Sequence, residues 1–424
     1  MMGKGYPLNT FLFRPDFRFT DFRDTIFVFS LPNPYADPNI VYLPFSSIFF
    51  RPFAYITMSA GLIICIFTSL ACLTLLLNEN FRALIPNPWK RMGYSLMMLG
   101  TAFPMLMCID RGNVEILLAP LVALSLYFFS RCRYALGMLF LLSTISLKLY
   151  PILLLALLLR QRKLTVIAWC MALFFTITAL SFKILALPLE TLRDCYHRAI
   201  SFYFDWYVYE NHSLEASASL WNAYKLGLIM ASNLGLISPI DFSFNSPFII
   251  QSYTIYSMGM AFLALLLVIH VCFVEREFLR CAALLLLFIS MSAPSGGDYR
   301  LLYAGIALVT LILVKTRRIN DLSILILVAL TMVPKKEFLL PFVGQTESQY
   351  PDVSIQVLLN PFCIFAAMGL LLYDGLKELN LKWSCLRLSR LRRAAFSWLP
   401  SRNQRPPSSG TSELATAFQP SPPS

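Results

Sequence analysis

Two aspartates near the start of the chain have the spacing of a catalytic pair. Asp21 and Asp24 lie three residues apart in the segment 19–42, so a helix over residues 21–29 places both carboxylates on one face. A carboxylate in such a position can remove a proton from an attacking hydroxyl group. The same residues also fit an amphipathic helix on a membrane surface, with its acids in water.

Short polar segments elsewhere carry side chains that suit the recognition of an anionic substrate. Arginine binds phosphate through two parallel hydrogen bonds, and lysine binds it as a point charge. Each segment also has an ordinary structural interpretation: a tight turn at 110–113, a snorkelling lysine before a helix-starting proline at 148–151, and a helix cap at Asp298. The candidate substrate-binding residues are Asp110, Arg111, Asn113, Glu115, Lys148, Tyr150, Asn211 and Arg300.

Several reaction classes lack their usual sequence signatures. The chain has no P-loop, no G-x-G-x-x-G, no H-E-x-x-H and no G-x-S-x-G. Most of the ten cysteines lie in apolar runs and none forms a C-x-x-C pair, so we expect neither a disulfide framework nor structural zinc. We expect no cofactor and no metal ligand, although a divalent ion bound by carboxylates stays compatible with these residues.

The composition is that of a membrane protein. Of the 424 residues, 57% are hydrophobic and only 14% are charged, and apolar runs of near membrane-spanning length recur along the chain. These runs do not alternate in polarity, which excludes a β-barrel. The sequence therefore predicts an all-α, polytopic transmembrane helical bundle.

The formal net charge of +12 comes from basic residues in short loops and in the C-terminal tail. This pattern is typical of cytosolic loops and of contacts with anionic membrane lipids, and we predict no nucleic-acid partner. With the basic loops in the cytosol, the chain makes about eleven spans, provided that the segment 220–236 does not cross. All candidate site residues then lie on the extracytoplasmic side.

This topology defines four regions. Residues 1–53 form an extracytoplasmic catalytic loop, and residues 54–374 form the transmembrane domain with an extracytoplasmic loop at 188–251. Residues 375–400 form a basic cytosolic tail, and residues 401–424 form a disordered Pro/Ser-rich tail. Because residues 1–53 have no signal peptide and no preceding span, we expect that a first transmembrane helix is missing upstream.

The order of five short motifs resembles glycosyltransferase family 87 over roughly residues 20–315. These motifs are Asp21-Phe22, Asn33-Pro34-Tyr35, Arg111-Gly112-Asn113, Ser146-Leu147-Lys148-Leu149-Tyr150-Pro151 and Asn211-His212-Ser213-Leu214. The resemblance implies a GT-C fold and an active site at the extracytoplasmic edge of the plasma (inner) membrane. It also implies a polyprenyl-phosphate sugar donor, with mannose or another hexose, and a lipid or glycan acceptor.

Within this resemblance Asp21 matches the family's carboxylate base best, and Asp24 is its rival. In the resulting hypothesis Lys148 and Arg111 hold the donor phosphate while the carboxylate activates the acceptor hydroxyl. The alternatives are a transporter or flippase for a lipid-linked saccharide, and an inactive, truncated homologue.

Overall fold

The computed structural model describes most of the chain. The described residues are 19–38, 42–210, 214, 217, 219–238, 240, 246–335, 338 and 353–397, with side chains described as far as residue 380. Two compact units are present, Met1–Lys377 and Glu378–Ser424. In the second unit the described part is helical. The fold and the site below belong to the first unit.

Within the described residues the fold is helical and contains no β-strand. The helices are α1 (Thr20–Ser30), α2 (Pro44–Phe50), α3 (Met58–Asn80), α4 (Pro88–Thr101), α5 (Phe103–Arg111), α6 (Glu115–Ser130), α7 (Tyr134–Leu147), α8 (Leu155–Arg160), α9 (Leu164–Leu185), α10 (Leu189–Tyr203), α11 (Leu220–Asn233), α12 (Pro247–Ile269), α13 (Phe278–Met291), α14 (Leu302–Ile312), α15 (Asp321–Thr331) and α16 (Gln356–Ser397). Two π-helical turns follow α10 and α12, at Phe204–Tyr209 and His270–Val274.

Four helical segments among the described residues are long and apolar enough to cross a membrane. They are Met58–Ala83, Leu164–Leu185, Pro247–Val274 and Gln356–Asn380. The remaining apolar helices, including α6, α7, α13 and α15, are shorter, and a 14-residue helix such as α7 reaches only about 21 Å across a hydrocarbon core of about 30 Å. The prediction of an all-α polytopic bundle is confirmed.

The predicted span 92–109 is not one straight helix. Helices α4 and α5 meet at an angle of 65°, as a broken span or a re-entrant loop. Pro104 lies in the first turn of α5, where its missing N–H costs nothing, but it disfavours helical geometry at the residue before it. The freed backbone is satisfied elsewhere, because the Phe103 amide donates to the Met332 carbonyl at 2.9 Å.

Helix α13 is the centre of the bundle. Every residue from Arg280 to Met291 is buried. A helix that is apolar all round must be enclosed by neighbours, and the core cluster around α13 draws side chains from α6, α7, α12, α14, α15 and α16. The bundle is therefore packed around one helix rather than arranged as a single ring.

An apolar cavity of about 400 Å³ lies beside α14. Its walls include Leu73 of α3, Leu99 of α4, Ala119 of α6, and Leu302 and Ile306 of α14. Ala119 follows Glu115 by one helical turn, so the cavity begins close to the polar centre described below.

Buried ion pairs hold the loops at the ends of α12, α13 and α15. The Arg318 guanidinium binds both oxygens of Glu275 at 2.6 and 2.9 Å, and Arg280 pairs with Asp321 at 2.7 Å. Burial acts to raise the pKa of Glu275, but its hydrogen bonds with Arg318 outweigh this effect and lower it. These basic side chains, which belong to loops predicted to lie in the cytosol, are engaged in ion pairs within the protein.

Helices α6 and α7 depend on a glycine for their close approach. A Cβ atom on Gly137 would clash with the ring of Phe129, whereas one on Gly93 in α4 would meet nothing within 4 Å. We predict that Gly137→Ala destabilises the protein by about 1–3 kcal/mol through overpacking. The matched control Gly93→Ala should be neutral, or stabilise by about 0.5–1 kcal/mol, because alanine is the better helix former.

Thermal unfolding of both purified variants in the same detergent measures this difference. Equal melting temperatures for the two would show that Phe129 moves aside without cost.

Candidate active site

Asp21 lies in the first turn of helix α1. Phe22, Ile26 and Phe29 are buried on one face of this helix and fix its orientation. Residues 21–29 do lie within a helix, α1, but its two carboxylates have different surroundings. The Asp21 side chain is only 18% exposed, while that of Asp24 is 57% exposed and pairs with the neighbouring Arg23.

A turn between α5 and α6 docks directly on α1. Gly112 ends α5 with a φ of 63°, a left-handed conformation that favours glycine, and a Cβ atom there would lie 2.8 Å from Cβ of Phe22. The Phe19 amide donates to the Asp110 carbonyl at 2.8 Å. A glycine at position 112 thus lets this turn pack closely against α1 without a steric clash.

Both oxygens of Asp21 accept hydrogen bonds from this turn. The Arg111 guanidinium donates to Oδ1, and the Asn113 amide donates to Oδ2 at 2.5 Å. The side-chain oxygen Oδ1 of Asn113 in turn accepts a hydrogen bond from the Glu115 backbone amide at 3.0 Å. One asparagine side chain therefore links the first acid of the site to the second.

Glu115, the second acid, is completely buried and fully engaged. Lys148 Nζ binds Oε1 at 2.8 Å. The hydroxyls of Tyr150 and Tyr303 donate to Oε2 at 2.5 and 2.6 Å. Because Glu115 is completely buried and fixed donors hold both of its oxygens, it organises its neighbours rather than acting as a free base.

Two cations flank this carboxylate. Lys148 Nζ lies 5.3 Å from the centre of the Tyr42 ring, and its side chain keeps 20% of its surface exposed. The Arg300 guanidinium stacks 4.2 Å above the centre of the Tyr150 ring. Within the part of the chain that the structure describes, this guanidinium makes no hydrogen bond or ion pair, and its buried Nη1 has no partner.

Loop 292–300 carries Arg300 and is held by three hydrogen bonds from two other segments. Ser217 and Ser219 donate to the carbonyls of Gly296 and Pro294 at 2.5 and 2.6 Å. Gln356 of α16 donates to Asp298 Oδ2 at 2.6 Å. The position of Arg300 therefore depends on segments far from it in sequence.

The Asn33-Pro34-Tyr35 motif has a structural role here. Asn33 Oδ1 accepts from the Tyr35 amide at 3.1 Å, and the buried Tyr35 ring packs 5.1 Å from that of Tyr196. The Tyr196 hydroxyl donates to the Tyr42 carbonyl at 2.6 Å, which fixes the residue whose ring lies under Lys148. This motif supports the site without entering it.

The predicted site residues thus divide into groups. Asp21, Arg111, Asn113, Glu115, Lys148, Tyr150 and Arg300 come together, while Asp110 is buried beside them and bonds through its carbonyl. Asp24 points to solvent, and Asn211 lies outside the described residues. Sequence reasoning missed Tyr303, although its spacing of three residues from Arg300 was a usable signal.

Lys225 is a second residue that the sequence did not single out. It is buried in α11, and its Nζ donates to the carbonyls of Val208 and Glu210 at 3.2 and 2.7 Å. Burial lowers the pKa of this lysine to about 7. Lys225 ties the π-helical turn Phe204–Tyr209 to α11.

Among the described residues, no three His, Cys, Asp or Glu side chains come together in a way that could hold a metal ion. That the reaction requires no metal stays a prediction.

We predict that Glu115→Gln destabilises the protein by about 3–5 kcal/mol, because it leaves Lys148 without its counter-charge. Adding Lys148→Met should recover part of this loss, since the unpaired charge is then removed. A double-mutant cycle from thermal unfolding measures the coupling. Strictly additive losses would show that the ion pair does not couple these residues.

The pKa of Lys225 makes stability depend on pH. Below pH 7 Lys225 is protonated in both the folded and the unfolded state, so the folded state bears the whole free-energy cost of burying the charged ammonium group. Between pH 7 and the unfolded value of 10.5, only the unfolded state binds it, so stability rises with pH by up to about 1.4 kcal/mol per unit. Unfolding of wild type and Lys225→Met from pH 6 to pH 9 should show this rise in the wild type alone; parallel curves would contradict it.

Comparison with known proteins identifies the family. The profile of glycosyltransferase family 87 matches residues 41–294, a range that contains Arg111, Asn113, Glu115 and Lys148 and begins after Asp21. No curated protein and no solved structure matches the chain. The match covers more than half of the 424 residues and confirms the resemblance seen in the motifs. The chain therefore belongs to glycosyltransferase family 87 and is a membrane glycosyltransferase.

Proposed function

We propose that the chain transfers a sugar, mannose or another hexose, from a polyprenyl-phosphate donor to the hydroxyl of a lipid or glycan acceptor. The observation that carries this proposal is the grouping of a partly exposed carboxylate, Asp21, with the cations Lys148 and Arg300 around the buried Glu115. The reaction needs a base for the acceptor and positive charge for a phosphate leaving group.

Asp21 is the group best suited to be the base. Its two oxygens each accept one hydrogen bond, from Arg111 and Asn113, and a carboxylate oxygen has lone pairs for a second. An acceptor hydroxyl can therefore approach Asp21 without displacing either donor. Glu115 is enclosed by Lys148 and two tyrosines, and Asp24 lies in solvent.

Lys148 and Arg300 are the best candidates for the donor phosphate. The sequence-based hypothesis paired Lys148 with Arg111, but the Arg111 guanidinium binds Asp21. The Arg300 guanidinium is already desolvated and has buried N–H groups to offer, which strengthens its attraction for an anion. The apolar cavity beside α14 offers a place for the lipid chain of such a donor.

The transfer step in this proposal is a single displacement. The acceptor oxygen attacks the anomeric carbon as Asp21 takes the hydroxyl proton. The bond between the anomeric carbon and the phosphate oxygen breaks, and polyprenyl phosphate leaves with the electron pair. Lys148 and Arg300 neutralise the charge that develops on this phosphate.

The positions of the site residues support an active site on the extracytoplasmic face. The turn at 110–113, Lys148 and Arg300 lie at the ends of helices opposite to the basic loops, and Asp21 is bonded to that turn. The positive-inside rule assigns those loops to the cytosol. The plasma (inner) membrane remains the proposed location.

The decisive experiment compares Asp21→Asn with Asp24→Asn. We would express each chain in a host that lacks related transferases, supply isolated membranes with labelled polyprenyl-phosphate sugars, and measure transfer at equal protein level. Loss of a general base should reduce the rate of Asp21→Asn by about 10²–10⁴-fold. Asp24→Asn is the matched control and should retain wild-type activity, since Asp24 is exposed and pairs with its own neighbour.

A larger loss in Asp24→Asn than in Asp21→Asn would overturn the assignment of the base. If neither the wild type nor a variant transfers sugar from any of the labelled polyprenyl-phosphate donors, the result would count against the proposed reaction.

A further inference from the structure

A short turn with one arginine and two aromatic residues joins α2 to α3. It is the 3₁₀ turn Arg51–Tyr55, with the sequence Arg-Pro-Phe-Ala-Tyr. Phe53 packs against α1, where its ring centre lies 6.1 Å from that of Phe22. Arg51 is only partly buried and Tyr55 is 84% exposed. The turn is therefore anchored on one side by an aromatic contact and open on the other.

This turn lies where two of the candidate membrane spans end. The first of these spans begins at Met58, shortly after the turn, and α9 ends at Leu185. Ile184, in the last turn of α9, lines the same cavity as Arg51 and Tyr55, so these two span ends are neighbours. Tyrosine is enriched at the membrane–water interface, and arginine extends its charged head toward it. The open side of the turn thus lies at the level of the lipid headgroups.

The cavity between the turn, α2 and α9 has a volume of about 160 Å³. Its polar lining residues are Arg51, Ser47 and Tyr55. Its apolar lining residues include Ile48 of α2 and Ile184 of α9. Since Tyr55 and Ile184 are largely exposed, the cavity is open to its surroundings. One cation beside hydroxyl groups and apolar side chains suits an anionic group that is attached to hydrocarbon.

Arg51 differs from the arginines of the neighbouring helices in having no partner. The Arg111 guanidinium binds Asp21, and that of Arg193 lies 3.7 Å from the Asp194 carboxylate. The Arg51 side chain makes neither a hydrogen bond nor an ion pair with any residue that the structure describes. Because arginine stays charged at every physiological pH, this guanidinium is available to an anion from outside the protein.

We propose that this cavity binds the phosphodiester group of an anionic phospholipid. Arg51 donates two parallel hydrogen bonds to the phosphate oxygens, the geometry that a guanidinium favours. The acyl chains then lie along the exposed side of α9 below Ile184. A lipid in this position braces the turn whose Phe53 packs on α1, the helix that carries Asp21. The site is separate from the basic loops at the other ends of the spans, and it does not depend on the proposed sugar transfer.

A lipid fits this cavity better than a free phosphate ion. A single ion pair that is exposed to water contributes little to affinity, so Arg51 alone would hold inorganic phosphate weakly. The hydrocarbon of a phospholipid supplies the remaining free energy by covering apolar surface. It also keeps the phosphate at the level of the turn.

Photo-crosslinking in nanodiscs tests the proposal at the site itself. The full chain is reconstituted in phosphatidylcholine with a small fraction of photoactivatable phosphatidylglycerol, and the crosslinked peptides are identified by mass spectrometry. Competition with unlabelled phosphatidylglycerol gives the affinity. Peptides that contain residues 47–55 or Ile184 should be crosslinked. Arg51→Gln should weaken binding there about tenfold, since it removes charge-assisted hydrogen bonds, and leave crosslinks at the basic loops unchanged.

Arg193→Gln is the matched control, because it removes the same charge from an arginine of α10 whose side chain is 83% exposed. Crosslinking at the turn should then equal that of the wild type. An unchanged yield in Arg51→Gln, or equal losses in both variants, would overturn the site.

Two further measurements decide the chemistry of the occupant. Photoactivatable phosphatidylcholine, whose headgroup has no net charge, should give a lower yield at the turn, and an equal yield would reject the preference for an anionic lipid. Inorganic phosphate should leave the yield unchanged. Displacement of the lipid by millimolar phosphate would indicate a site for the free ion and reject the lipid. Because no arm of this experiment includes sugar transfer, a failure of the proposed reaction would leave its result intact.

Discussion

The structure depends above all on one buried negative charge. Moving an ionised carboxylate out of water costs roughly several kcal/mol of folding free energy unless other groups replace its hydration. At Glu115 the groups that bind the carboxylate come from separate parts of the chain: Lys148 and Tyr150 after α7, and Tyr303 of α14, which is 188 residues distant. The start of α6, the end of α7 and the start of α14 must therefore meet at one point for the protein to fold.

This requirement also shapes the part of the site that is open to substrate. The Asn113 side chain bonds to the Glu115 backbone amide on one side and to Asp21 on the other. The position of the partly exposed Asp21 is therefore fixed relative to the buried Glu115. Arg111 and the close packing of Gly112 on Phe22 complete this connection. The division of labour between the two acids follows from their surroundings, because Glu115 has no room for a ligand and Asp21 has.

Sequence reasoning could identify the fold class and most of the polar centre, because charged residues in an apolar chain are rare enough to be noticed. It could not separate Asp21 from Asp24, since that difference arises from the turn at residues 110–113, which contacts only one of them. Tyr303 and Lys225 escaped notice because they lie in apolar helical segments, where tyrosine and lysine normally signal a membrane edge. The bend between α4 and α5 was missed because hydrophobicity does not report backbone direction.

Helix α14 separates two very different environments although it is only 11 residues long. Leu302 and Ile306 line the apolar cavity, while Tyr303, on the adjoining side of the same helix, reaches the ionic centre. An α-helix turns by about 100° per residue, so the gain or loss of one residue just before Leu302 would rotate every side chain by that angle. The length of the segment before α14 is therefore itself a determinant of the site. A single insertion or deletion there would alter the apolar cavity and the ionic centre together, even if every contacting residue stayed the same.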